Sequence, residues 1–227
     1  MANTVPWALS HTQIAVEVVA TIAFALSGVI EGARKGLDAV GICVVAGLAA
    51  FGGGTVRDIL LDRRPLFWVQ HAGWVWALLA LCVGAMFFMR ARHFEPTERA
   101  MQWPDALGLG LFTAGGAQIA IDSGMPAVVS VILGVVTAVF GGVLRDVVCN
   151  EIPRAFSDHR PYAICSFVGG WVMVLAHSAQ LPQWGALFAA AGTASLLRAA
   201  ALVMDWRLPA WQAGATGLDE ADDPARR

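Results

Sequence analysis

The chain alternates long apolar stretches with short polar ones, and the stretches fall at 14–30, 39–60, 73–89, 106–121, 127–148, 161–179 and 183–204. Each approaches the ~20 residues a helix needs to cross a ~30 Å hydrocarbon core. The first is interrupted by Glu17 and the last by Arg198. None alternates polar and apolar residues with period two, and all exceed the ~10 residues of a tilted membrane strand, so a β-barrel is excluded. The pattern predicts an all-α fold, a polytopic membrane helical bundle of seven transmembrane helices. Residues 1–13 hold no Lys or Arg, so the basic start of a secretory signal is missing and the first stretch is expected to stay as a span.

Two segments are alike: AAFGGGTVRDILLDRRP at 49–65 and TAVFGGVLRDVVCNEIP at 137–153, at a constant offset of 88. The same offset pairs Phe24 with Phe112, Gly28 with Gly116, Gly36 with Gly124 and Val40 with Val128. A unit of three spans occurring twice must enter the membrane from opposite faces, which predicts inverted repeats meeting near the midplane. A single transmembrane domain over 1–204 is expected, with repeats at 14–90 and 105–180, a linker at 91–104 and a seventh helix at 183–204 outside the repeat. The remainder, 205–227, carries Pro209 and the acids Asp219, Glu220, Asp222 and Asp223. It is expected to be a disordered cytoplasmic tail.

Charge then sets orientation. With seven spans, one face receives Arg63 and Arg64, and the other receives Arg34, Lys35, Arg90, Arg92, Arg99, Arg154, Arg160, Arg207, Arg226 and Arg227. By the positive-inside rule the N-terminus is outside and the C-terminus cytoplasmic. Composition agrees: 57% of residues are hydrophobic and 14% charged, with a mean hydropathy of +0.63, against about a quarter charged in soluble domains. Fifteen basic residues against 17 acidic ones leave a net charge of -2, with no positive excess for nucleic acid. The four cysteines stand singly in apolar stretches, with no C-x-x-C or His cluster beside them, and are read as buried small hydrophobes rather than metal ligands. No phosphate loop, no H-E-x-x-H and no G-x-S-x-G occurs, which argues against an enzyme and gives no reason to expect a cofactor. Tryptophans near span ends, among them Trp7, Trp68, Trp74, Trp103, Trp184 and Trp206, suit an interfacial belt.

The repeated motif carries the candidate chemistry. Gly52, Gly53 and Gly54 precede Arg57 and Asp58; Gly141 and Gly142 precede Arg145 and Asp146. Consecutive glycines in a membrane helix mark a kink or unwound turn beside a watery cavity, or a tight helix contact through small residues; both readings stay open. Arginine and aspartate in a span cost about 3 kcal/mol each on insertion scales and need partners. Neighbours in sequence lie about 100° apart on a helix, so Arg57 is expected to reach carbonyls freed in the other copy, or Asp146, with Arg145 and Asp58 in the mirrored role. The alternative is an interfacial position, since Arg57 lies ~27 Å along its span. Glu17, Glu31 and Asp122 are read as span-end residues. Ser27, Thr113 and Gln118 are open between cavity lining and helix contacts.

The doubled motif, FGGGTVRD in the second helix and VFGGVLRD in the fifth, resembles the bacterial branch of the trimeric intracellular cation channel family over nearly the whole chain. The resemblance implies a homotrimer whose protomers each enclose an hourglass pore, walled by kinked helices two and five, passing monovalent cations, chiefly potassium. It implies kinks at Gly53, Gly54, Gly141 and Gly142, and pore-shaping or gating charges at Arg57, Asp58, Arg145 and Asp146. Membrane lipids would surround it, in a bacterial inner membrane. Gly52 stands opposite Phe140, so the second copy has one glycine fewer. The same bacterial group also resembles proteins proposed to move glycine or other small amino acids, which leaves a secondary transporter for such a substrate as the alternative.

Overall fold

Local capping places the helix starts. Ser10 accepts a hydrogen bond from the Gln13 amide while the Gln13 side chain accepts from the Ser10 amide, opening α1 (His11–Arg34) with a capping box. Asp38 accepts from Gly41 to start α2 (Ala39–Leu60), at the bounds read from the sequence. The computed structural model describes residues 10–70, 72–93 and 95–209. It continues with α3 (Phe67–Gln70), α4 (Gly73–Ala91), α5 (Glu98–Asp122), α6 (Ala127–Val148), α7 (Arg154–Ser157), α8 (Ala163–Ser178) and α9 (Gln183–Val203), and no strand occurs among the described residues. Five helices, α1, α2, α4, α6 and α9, are long and apolar enough to cross a membrane; α8 is apolar but has 16 residues.

The helix α5 is the centre of the bundle, packed against α1, α6, α8 and α9. Every residue from Gly108 to Ala120 is buried, so its glycines and polar groups meet protein rather than lipid. It starts at Glu98, inside the stretch expected to be a linker, because Thr97 caps it and Pro104 falls early in the helix without ending it. The reading of Pro104 as a boundary is thereby corrected. Trp7 and residues 210–227 of the expected tail lie outside the described residues, whereas 205–209 are described and dock on the bundle.

Equivalent residues of the two copies make equivalent contacts. Phe24 and Phe112 stack on each other at 5.4 Å and 25°. A Cβ added at Gly53 would meet the Thr137 carbonyl, and one at Gly141 would meet the Ala49 carbonyl, the same contact with the copies exchanged. Gly36 and Gly124 take positive φ after α1 and α5, and Asp62 and Asn150 do so after α2 and α6. Helices α2 and α6 therefore cross backbone to backbone at their glycines. Both run as uninterrupted α-helix through these positions, so of the two readings left open it is the tight helix contact, not the unwound turn, that is seen. The missing side chains allow close approach of the two helices instead.

Candidate functional site: two buried charge layers

The crossing of α2 and α6 is flanked by two clusters of charge built on the same plan. In the first, Arg57 donates through Nη1 to Glu17 at 2.8 Å and through Nε to Asp58 at 2.9 Å. The second Asp58 oxygen accepts the Phe67 amide at 3.1 Å, and Arg63 lies 3.7 Å from this carboxylate. In the second, Arg145 donates to Asp105 at 2.6 Å and to Asp146 at 2.9 Å, and Asp146 accepts the Arg154 amide. Both arginines are at most 2% exposed, and Glu17, Asp58, Asp105 and Asp146 are buried with them. Glu17 and Asp105 are themselves separated by 88, so each layer is an acid, an arginine 40 residues on, and the next residue's carboxylate.

Several expectations change here. The neighbouring Arg and Asp do bind each other, each arginine bridging the carboxylate beside it and an acid on another helix; Arg57 reaches neither Asp146 nor carbonyls of the other copy. The arginines stand near the helix ends, four residues from Leu60 and from Val148 counted inclusively, yet are buried rather than extended to an interface. Glu17 and Glu31 are likewise buried, the latter against Arg34 and Arg154. Asp122 accepts from Gln13 and Gln118. Ser27 accepts from Arg145, and Thr113 shares a hydrogen bond with Ser166.

The contacts also sort the helix ends. Gln13 with Asp122, and Glu17 with Arg57, gather the starts of α1 and the ends of α2 and α5 at one side. Lys35 with Glu151, Glu98 with Arg154, and Arg160 with Asp205 gather the end of α1, the start of α5 and the ends of α6 and α9 at the other. The first layer belongs to the former side and the second to the latter.

Each layer has an aromatic ring seated on the glycine three residues before its arginine. A Cβ at Gly54 would touch Phe67, whose ring lies 5.8 Å from the Arg57 guanidinium; one at Gly142 would touch the Tyr162 hydroxyl. The second layer borders a cavity of about 10 Å³ lined by Asp105, Gly142, Arg145, Asp146, Tyr162 and Arg198 among others, room for about one water molecule. Of the residues named from the sequence, Gly52 faces Leu144 at the crossing, Gly53 and Gly141 form its backbone contact, and Gly54 and Gly142 admit the rings. Glu17, Asp105, Tyr162 and Arg198 were not singled out as site residues; the repeat offset linking Glu17 to Asp105 was the signal for the first two.

Comparison with known proteins adds to this geometry. A family model described as "Glycine transporter" matches residues 14–92 and 102–178. A UPF0126 membrane protein of Vibrio cholerae is 33% identical over 68% of this chain and 64% of its own length, so the chain spans just under two thirds of that relative. The UPF0126 inner membrane protein YadS of Escherichia coli is 31% identical over 85% of this chain and 93% of its own. Among solved structures, the trimeric intracellular cation (TRIC) channel orthologue from Rhodobacter sphaeroides superposes with a TM-score of 0.80 at 34% identity, covering 87% of this chain and all of that one. A prokaryotic TRIC channel crystallised in 0.5 M KCl gives 0.79 at 25% identity over 86% of this chain and 98% of that one.

Proposed function

Because the chain belongs to the bacterial branch of the trimeric intracellular cation channel family, we propose that it is a cation channel whose path runs within one protomer, along the crossing of α2 and α6. Seven helices (α1, α2, α4, α5, α6, α8 and α9) span the membrane as two inverted repeats and one extra helix, with the C-terminus cytoplasmic and three protomers assembled together. Potassium is the principal ion. Gly52, Gly53, Gly54, Gly141 and Gly142 line or hinge the path, and Arg57, Asp58, Arg145 and Asp146 gate it.

The observation that carries this reading is the charge of the layers. Each arginine is bonded directly to two buried carboxylates, an inner trio of formal charge -1, while Arg63 at 3.7 Å from Asp58 and Arg154 at 3.8 Å from Asp146 bring each wider cluster to neutrality. Carboxylates at a constriction, once the arginines move off them, admit cations and reject anions. The crossing is filled in this conformation, so it is the closed one, and conduction requires the arginines to swing aside and α2 to part from α6. Purified protein in planar bilayers with asymmetric potassium chloride should show unitary currents reversing toward the potassium equilibrium potential. Glu17→Gln with Asp58→Asn should weaken that selectivity. Absence of currents, or reversal toward the chloride potential, would remove the proposal.

The description attached to the family model supports one further reading. Two layers that open in turn would serve an alternating-access carrier of glycine. Saturable glycine counterflow in proteoliposomes, without unitary currents, would favour it.

A further inference from the structure

The helix α9 lies outside the repeat, yet it reaches the second layer and not the first. Its Arg198 is 2% exposed, and a buried arginine in a membrane helix is costly enough to need a task. Nη2 donates to Asp158 at 3.1 Å, Nη1 donates to the Pro161 carbonyl at 3.2 Å, and the guanidinium lies 4.8 Å from the centre of the Tyr162 ring. The residues after α9 grip the same loop: Arg160 donates to Asp205 at 2.8 Å, and the Leu208 amide donates to the His159 carbonyl at 2.6 Å. Each of residues 158–162 is thus held by α9 or by the segment behind it.

Tyr162 is where this loop meets the charge layer. Its hydroxyl is buried beside Gly142 and interacts with the Asp105 carboxylate in the cavity next to Arg145. Phe67, the ring of the first layer, is instead packed by Phe51 and Trp74 within its own copy. We infer that α9 and residues 205–208 form a clamp on the 158–162 loop that sets the place of Tyr162 and thereby the resistance of the second layer to opening, with Arg198 as its positioning residue. The first layer is outside its control, so the clamp acts from one face of the membrane only. This rests on the conduction reading above.

Tyr162 is the single tyrosine of the chain, so tyrosine-selective isotope labelling yields one NMR signal that reports its position without any current. Three full-length proteins are compared with the unmodified one: Arg198→Lys, Arg198→Met, and the solvent-facing double variant Arg160→Gln with Asp205→Asn, which loosens the clamp without touching the core. The expected result is a shifted or broadened Tyr162 signal in the double variant and in Arg198→Met, with Arg198→Lys nearer the unmodified protein. In bilayers with symmetric potassium chloride, the ratio of currents at equal voltages of opposite sign should change by about fivefold or more, the lower end of coupling between sites. An unmoved Tyr162 signal in every variant overturns the clamp. A moved signal with an unchanged current ratio overturns its control of the layer. If the unmodified protein carries no current, the conduction reading fails and the control of opening fails with it, while the NMR signal alone still decides whether the clamp holds Tyr162.

Discussion

Adding one methyl group at Gly53 tests the packing argument most directly. The added Cβ would lie 1.8 Å from the Thr137 carbonyl oxygen and 2.8 Å from its carbon. Ordinary contact begins near 3.4 Å, so α2 and α6 must separate by the difference between 3.4 and 1.8 Å, about 1.6 Å, and the obstacle is backbone that no rotamer change can clear. Gly141 faces the Ala49 carbonyl at 2.2 Å and demands about 1.2 Å by the same subtraction. Overpacking a tight core, backbone shifts included, costs about 1–3 kcal/mol and occasionally more, so Gly53→Ala should lose about 3 kcal/mol, the upper end, and Gly141→Ala slightly less. Gly84→Ala is the control: nothing lies within 4 Å of its Cβ, and replacing a helical glycine should gain about 0.5–1 kcal/mol. Thermal unfolding in detergent micelles, read alongside size-exclusion profiles, should place the three variants on opposite sides of the unmodified protein. A Gly53→Ala protein as stable as Gly84→Ala would refute the backbone crossing.

Three other outcomes follow from the charge layers, the clamp and the contact between Lys35 and Glu151. Arg145→Met strands Asp105 and Asp146 as buried carboxylates and should cost about 3–5 kcal/mol in thermal unfolding; adding Asp105→Asn should recover part of that loss, and no recovery would contradict their pairing. Hydrogen bonds from Arg160 first and Arg207 second hold the exposed Asp205 carboxyl below its ordinary value; a carboxyl lowered in this way contributes at neutral pH and stops contributing as pH falls through the lowered value. The Tyr162 signal should therefore stay constant from neutral pH down to the usual carboxylate range and move only below it, and Asp205→Asn should remove the contribution of this group to that transition. Glu151, lowered chiefly by its hydrogen bond from Lys35, should likewise release the junction between α1 and the α6–α7 turn only in acid, measurable as faster amide exchange at residues 35–37.

The parts of this molecule that were legible in its sequence are those decided locally. The bounds of α2 and α6 coincide with their apolar stretches because Asp38 caps one, Pro126 precedes the other, and positive-φ turns at Asp62 and Asn150 follow both. The start of α5 was not legible, since Glu98, Arg99 and Pro104 resemble a linker until Thr97 is seen capping the helix and the bundle is seen enclosing it. The charged motif could be located but not paired. Hydropathy marks Glu17 as a span-end residue and cannot reveal that Arg57 stands opposite it. The Gly-Gly doublet was equally ambiguous between a break and a crossing, and only the neighbouring helix, with a carbonyl where a side chain would go, decides between them.

The two layers share their arginines and differ around them, and the differences compensate. Asp105 is one methylene shorter than its counterpart Glu17, so it offers Arg145 less reach; Ser27 accepts a further hydrogen bond from the same Nη1 at 2.8 Å. At the position equivalent to Ser27 the second copy has Gly115, and Arg57 relies on Glu17 and Asp58. Glu17→Asp should therefore leave Arg57 short of an acceptor and cost about 1–3 kcal/mol. Gly115→Ser places a hydroxyl where the repeat offset predicts one, and a Cβ there meets nothing nearer than Val16 at 3.8 Å. The double variant Glu17→Asp with Gly115→Ser recreates the second layer's chemistry in the first, and its thermal stability should exceed that of Glu17→Asp alone. Strict additivity of the two changes would show that the serine near Arg145 is incidental. A favourable coupling would show that the shorter acid and the hydroxyl act together on the buried guanidinium.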